Sequence, residues 1–147
     1  TNVGLVSAGT GVNVVPRVAT AEIDLRVVTA ADGEELAAKI LDRKPRDPDV
    51  TIEITGGMNR PPYELTDANW GLFELAKDLV ADTGLVLEST ALTGGGSDGN
   101  FTSSVGVPTL DGLGADGEGA HTLHEQVYIS SLVPRAKMWV RLLEGLT

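Results

Sequence analysis

Residues 19–28, Ala-Thr-Ala-Glu-Ile-Asp-Leu-Arg-Val-Val, alternate between apolar and polar positions almost without fault. Ala19, Ala21, Ile23, Leu25 and Val27 fall on one face, and Thr20, Glu22, Asp24 and Arg26 on the other. That period of two predicts a half-buried strand of an antiparallel sheet. Residues 50–55 repeat the pattern, with Val50, Ile52 and Ile54 set against Thr51, Glu53 and Thr55. Val3 and Leu5 start a weaker strand ahead of Gly9-Thr10-Gly11. A helix is expected in between. Thr29 is a candidate N-cap with Asp32 three residues on, the arrangement of a capping box. Leu36, Ile40 and Leu41 form its apolar stripe, and Pro45 and Pro48 close it. The order strand, strand, helix, strand predicts a small two-layer α+β sandwich, an antiparallel sheet with a helix, over residues 1–55.

Residues 56–63, Gly-Gly-Met-Asn-Arg-Pro-Pro-Tyr, can sustain neither a helix nor a central strand, and they read as a hinge. Beyond them the pattern changes period. Thr66 can cap a helix with Leu72, Phe73, Ala76, Leu79 and Val80 on one side, and Gly84 stops it. Leu85 to Leu92 and Val107 to Leu113 read as mostly apolar strands, the second carrying Pro108 near its start. Ser130 or Ser131 would cap a last helix, with Pro134 in its first turn and Val133, Ala136, Val140 and Leu143 facing inward. Helices alternating with buried strands indicate an α/β layer. It has too few strands for a complete sheet covered on both faces, so this piece is expected to be the end of a larger domain.

Composition narrows the function classes. Hydrophobic residues make up 41% and charged residues 22% of the 147 positions, near the globular average. Net charge is −10, from 11 basic and 21 acidic side chains, and the imbalance is local. Residues 1–60 hold 7 basic and 9 acidic groups, whereas residues 61–129 hold one basic group, Lys77, and 11 acidic ones. A nucleic-acid partner needs a basic face, and that stretch offers none. Such a field suits solubility, or a bound cation. No apolar run approaches the roughly 20 residues of a membrane helix. Cysteine is absent, which excludes disulfide scaffolds and thiolate metal sites. The first residue is Thr, and no basic segment leads into an apolar one. No signal peptide is therefore read, a cut-out or processed chain is expected, and the expected location is the cytoplasm.

Three segments could carry chemistry. Thr93-Gly94-Gly95-Gly96-Ser97-Asp98-Gly99-Asn100 lies between a predicted strand and a short helix-like stretch. Its glycines let a backbone approach a ligand, and free N–H groups attract an anion, although a tight turn needs the same residues. Gly95 to Gly99 also fits G-x-S-x-G, the hydrolase nucleophile elbow. Asp111 or Asp116 and then His121 or His124 follow in the matching order, but the long parallel sheet and oxyanion loop of such enzymes have no counterpart. The second segment, Gly117-Glu118-Gly119-Ala120-His121-Thr122-Leu123-His124-Glu125, places a histidine after a Gly-rich run. Imidazole is the commonest metal ligand near neutral pH, and it is equally a common partner of a backbone carbonyl. The third segment is Asn13-Val14-Val15-Pro16, with Arg26 downstream on the polar face of its strand. Asn before Pro suits a turn. Arg grips carboxylates with a bidentate fork, though an exposed strand Arg is usually only solvated.

Taken together, Asn13-Val14-Val15-Pro16, Glu22-Ile23-Asp24-Leu25-Arg26, Gly94-Gly95-Gly96-Ser97-Asp98 and Gly119-Ala120-His121-Thr122 with Glu125 resemble the zinc-dependent M20 metallopeptidases. That family includes glutamate carboxypeptidases, aminoacylases and succinyl-diaminopimelate desuccinylases, and the motifs look most like its carboxypeptidase G2 and dipeptidase branch. The resemblance covers nearly the whole chain. It implies a lid and dimerisation domain, in part, over residues 1–56, a hinge at 57–63, and the C-terminal part of an α/β catalytic domain over 64–147. It implies two zinc ions in the parent enzyme, replaceable by cobalt or manganese, and cleavage of an amide in a dipeptide, a C-terminal amino acid or an N-acyl amino acid. It makes His121 a metal ligand, makes Gly95, Gly96 and Ser97 the cradle of the substrate carboxylate, and makes Asn13 and Arg26 lid contacts to substrate. A homodimer through residues 1–56 follows, with no nucleic-acid or membrane partner. The family's H-x-D motif, bridging aspartate, Glu-Glu pair and lid histidine have no match here. No catalytic residue is therefore assigned within these 147 positions, and the chain alone is expected to be inactive. A non-catalytic dimerisation or ligand-binding module and a serine hydrolase built on Ser97 are the alternatives.

Overall fold

The computed structural model describes residues 1–90 and 92–146. They form two compact units, Thr1–Pro62 and Tyr63–Thr147. The class is mixed α/β, with small antiparallel sheets and helices.

In the first unit β1 (Asn2–Ala8) pairs antiparallel with β2 (Ala19–Asp24). The alternation that predicted β2 ends in hydrogen-bonded strand at Asp24; Leu25 to Val28 lie beyond the ladder. Val3 stands opposite Ile23, but Leu5 stands opposite Glu22, so a bulge at Gly4 shifts the register. One extra residue flips the alternation. Val3, Val6 and Ala8 therefore share a face with Ile23, Ala21 and Ala19, while Leu5 is turned to the face of Glu22 and Thr20. α1 (Ala30–Leu41) follows. Thr29 caps it by accepting the Asp32 N–H at 3.1 Å and donating its hydroxyl to the Asp32 carboxylate at 2.8 Å. The helix ends on Asp42, before Pro45 is reached. Residues 50–55 do not form the expected strand. Their alternation is real, but no neighbouring strand is hydrogen-bonded to them, and pairing is what makes extended chain a strand.

The second unit is built around α2 (Asp67–Val80) and α4 (Ile129–Gly145), whose contact buries Ala76, Val80, Met138 and Leu142. Thr66 caps α2 by accepting the Asn69 N–H at 3.1 Å. A single 3-10 turn, Ala81–Thr83, then runs into Gly84, whose φ of 78° stops the helix as its sequence position suggests. α3 (Gly99–Ser104) follows the glycine loop, and a two-residue hairpin of β3 (Gly117–Glu118) and β4 (Gln126–Val127) precedes α4. Neither 85–90 with Leu92 nor 107–113 is a strand among the described residues; Ala91 lies outside them. Neither stretch has a ladder partner among the described residues, and Leu85, Leu87, Leu110 and Leu113 pack against the helix core instead.

α4 also departs from its sequence pattern. It starts at Ile129, with Tyr128 as N-cap, rather than at Ser130 or Ser131, so Pro134 lies inside the helix and not in its first turn. Ser131 is buried within the helix, where its hydroxyl donates to the Tyr128 carbonyl at 2.7 Å and accepts the Asp116 N–H at 3.0 Å. That double use fixes which side turns inward. Ser131, Met138 and Leu142 are buried, and Val133, Ala136, Val140 and Leu143, expected inside, are exposed. Arg141 grips Asp82 with two guanidinium nitrogens, tying the C-terminal half of α4 to the turn after α2. No helix among the described residues is long and apolar enough to cross a membrane.

Candidate functional site

Ser97 is the centre of a short polar network at the start of α3. Its hydroxyl donates to Asp111 Oδ2 at 2.5 Å and accepts the Gly99 N–H at 3.1 Å. Its own N–H donates to Asn100 Oδ1 at 2.9 Å, and Asn100 is buried. The second carboxylate oxygen of Asp111 accepts the Gly112 N–H at 2.8 Å. A Cβ placed on Gly94 or Gly95 would meet nothing within 4 Å, so the loop backbone ahead of Ser97 is open to a ligand. Gly96 lies between them and Ser97, with its residue exposed.

Behind this loop, buried Asn69 joins three segments. Its Nδ2 donates to the Glu64 carbonyl at 3.2 Å and to Ser103 Oγ at 3.0 Å, and its Oδ1 accepts the Thr109 N–H at 2.9 Å. Tyr63 donates its hydroxyl to the Thr109 carbonyl. Burial, and then the negative charge of Asp111, push the Tyr63 phenol above its ordinary range. The side chains of Asn69 and Tyr63 thus hold the Thr109 backbone, in the 107–111 segment that carries Asp111. Sequence reasoning did not single out Asn69, Tyr63 or Thr109, because their partners lie 34 to 46 residues away. It considered Asp111 only as the acid of a nucleophile elbow. That elbow is not formed: a hydroxyl has one proton, and Ser97 gives it to a carboxylate rather than to an imidazole.

His121 sits in the tip joining β3 to β4. It is the one non-glycine residue with positive φ among those described, at 65°. Left-handed backbone is uncommon for a residue with a Cβ, though histidine tolerates it better than most. Local bonds hold it there: its N–H donates to Glu125 Oε2 at 3.2 Å, and the Thr122 N–H donates to the Gly119 carbonyl at 2.9 Å. His121 is exposed at the tip of this two-stranded stem. The stem is anchored to α4. The Tyr128 N–H donates to the Asp116 carbonyl at 2.8 Å, and Arg135 pairs with the Asp116 carboxylate. Tyr128 donates to Glu118, which holds its phenol above the usual range, with burial adding to the effect.

Asn13 and Arg26 belong to the first unit. Asn13 is the third residue of a turn closed by the Val14 N–H on the Gly11 carbonyl at 3.2 Å, in the loop between β1 and β2. Arg26 follows β2, and its Nε donates to Asp24 Oδ2 at 2.8 Å in an exposed pair. Among the described residues no group of three or more His, Asp or Glu side chains is placed to hold a metal ion. Catalytic zinc needs about three protein ligands, and the described residues do not bring such a set together.

Comparison with known proteins agrees with the motifs. The chain is similar to succinyl-diaminopimelate desuccinylase of Bordetella parapertussis, 35% identical over 144 residues, covering 95% of this chain and 36% of that protein. It matches the Bordetella pertussis desuccinylase with the same identity and coverage. It is also similar to carboxypeptidase G2 of a Pseudomonas species, 29% identical over 147 residues, covering 97% of this chain and 35% of that protein. The chain thus spans about a third of the length of the curated relatives it matches. No solved structure matches it significantly. The model of the peptidase family M20/M25/M40 matches residues 3–145, and the chain belongs to that family.

Proposed function

We propose that this chain is the C-terminal portion of a zinc-dependent exopeptidase or amidohydrolase, acting on a dipeptide, a C-terminal amino acid or an N-acyl amino acid with a free carboxylate. The observation that carries the reading is His121, held in left-handed backbone at the end of an anchored hairpin, inside a chain matched by the M20/M25/M40 family along nearly its full length. In this reading His121 donates one ligand to a metal centre whose other ligands come from outside these 147 residues. The chain's own part is binding and orientation: the loop of Gly95, Gly96 and Ser97 holds the substrate carboxylate, and Asn13 and Arg26 contact substrate from the first unit. Residues 1–56 supply a homodimer interface and 57–63 a hinge, the first unit being part of a lid. The names of the relatives, a desuccinylase and a carboxypeptidase, fit a substrate with an amide next to a carboxylate.

The test uses the full-length enzyme. His121→Ala should lower kcat/KM by more than the roughly 10–100-fold typical of residues that merely support a metal ligand. Bound zinc, measured by elemental analysis, should fall with it. Full activity in His121→Ala, or activity resistant to a chelator together with covalent labelling of Ser97 by a serine-directed probe, would overturn the reading. The purified 147-residue chain should show no zinc-stimulated turnover.

A further inference from the structure

We propose that Asp111 is a positioning residue for the Gly95–Ser97 loop, fixing the direction of the Ser97 hydroxyl. The inference rests on that loop being the carboxylate cradle. Asp111 takes the single Ser97 hydroxyl proton at 2.5 Å. The Ser97 oxygen is thereby left as an acceptor, and the Gly99 N–H fills that role at 3.1 Å, closing the loop onto α3. The other oxygen of Asp111 is held by the Gly112 N–H at 2.8 Å, so the carboxylate is oriented from its own side of the contact. Upstream, the Thr109 backbone is clamped at its N–H by buried Asn69 and at its carbonyl by Tyr63. A continuous set of bonds therefore runs from the α2 helix through Thr109 and Asp111 to Ser97.

The chemical consequence concerns which groups meet the substrate. With its proton committed, the Ser97 side chain offers no donor to an incoming carboxylate. Attraction falls to the backbone N–H groups of Gly95 and Gly96, where the loop leaves open space, because the Ser97 N–H is itself given to Asn100 Oδ1 at 2.9 Å. Asp111 itself carries a negative charge near that space. It acts on binding through Ser97 and the loop shape, and it does not touch the scissile amide. Losing it should raise KM for a carboxylate substrate and leave kcat nearly unchanged.

The experiment measures steady-state kinetics of the full-length enzyme on an N-acyl amino acid, with Ser97→Ala, Asp111→Ala, the double variant and Asp111→Asn. We expect each alanine variant to raise KM about tenfold, the effect of one charge-assisted hydrogen bond at an accessible site. The double variant should be no worse than the worse single one, because both break the same contact. Asp111→Asn keeps the shape and one acceptor oxygen and should fall between Asp111→Ala and the parent. A purely structural role would instead lower the melting temperature and scale down kcat with KM constant, and that outcome overturns the inference. Additive effects of the two alanine changes overturn it too. If Ser97→Ala raises KM and Asp111→Ala does not, this inference fails and the loop reading stands. If neither moves KM, both fail. Should Asp111→Ala not fold, Asp111→Asn decides, and a KM equal to the parent's overturns the proposal.

Discussion

Among described residues 1–62 only Gly33 is buried, whereas in the second unit α2 and α4 enclose Ala76, Val80, Met138 and Leu142, with Asn69 and Ser131 also buried. The two regions have equally good amphipathic patterns in sequence. In the first unit the alternation produces a ladder, and the face of Val3, Val6 and Ile23 stays half or more exposed. In the second the helical period produces a core. The difference teaches that a pattern records which face could be covered, while coverage itself depends on a second element. A two-stranded hairpin by itself is marginal in water. This is the physical ground for proposing that the first unit's sheet is completed by another chain or segment.

The largest test of the contrast is truncation of one apolar side chain in each region. Met138→Ala, at a position with no exposed surface, should cost about 2–5 kcal/mol. Ile23→Ala, about half exposed, should cost less than about 1 kcal/mol, because little area leaves water there. Urea denaturation of each variant checks this; equal losses would mean the sheet face is covered in solution and would break the comparison.

A smaller effect should be the same in both regions. Thr29→Ala and Thr66→Ala each remove an N-cap bond and should each cost about 1 kcal/mol. A markedly larger loss at Thr66, read in the same denaturation assay, would show that the cap also steadies the Asn69 junction. That result would sharpen the contrast between a locally held unit and one held by distant contacts.

The smallest effect is with pH. The Tyr63 phenol is raised by burial and by Asp111, so its neutral form is favoured in the folded state. Its contribution is complete below the ordinary phenol value near pH 10 and is lost as pH climbs through the raised folded value. The first unit has no tyrosine. Melting temperature followed from pH 8 to pH 11 should therefore fall less steeply in Tyr63→Phe than in the parent. Identical slopes would remove Tyr63 from the second unit's account.

Local signals proved legible at α1 and α2, where both partners lie within one turn. Thr29 with Asp32 and Thr66 with Asn69 cap helices where the sequence placed them, and Gly84 ends α2 in left-handed backbone. Four motifs in order, at Asn13–Pro16, Glu22–Arg26, Gly94–Asp98 and Gly119–Thr122, were enough to indicate the family. What sequence could not show were contacts of long separation: Asp111 with Ser97, Thr109 with Asn69, Asp116 with Ser131 and Arg135. No spacing rule links such residues before the chain has folded.

By itself, then, the amino-acid order determined the helices, the caps of α1 and α2, the β2 alternation, the acidity of the middle of the chain and the motifs that make it an M20 relative. Tertiary structure decided the rest. Residues 50–55, 85–90 and 107–113 have strand patterns but, among the described residues, no strand hydrogen-bonded beside them, so they are not strands. α4 carries apolar residues on more than one side, and the Ser131 contact to Asp116 chose the side of Met138 and Leu142 over that of Val133 and Val140. The bulge at Gly4 chose Val6 over Leu5 for the apolar face. In each case the deciding energy is a bond or burial shared between two elements, and a linear pattern describes only one element at a time.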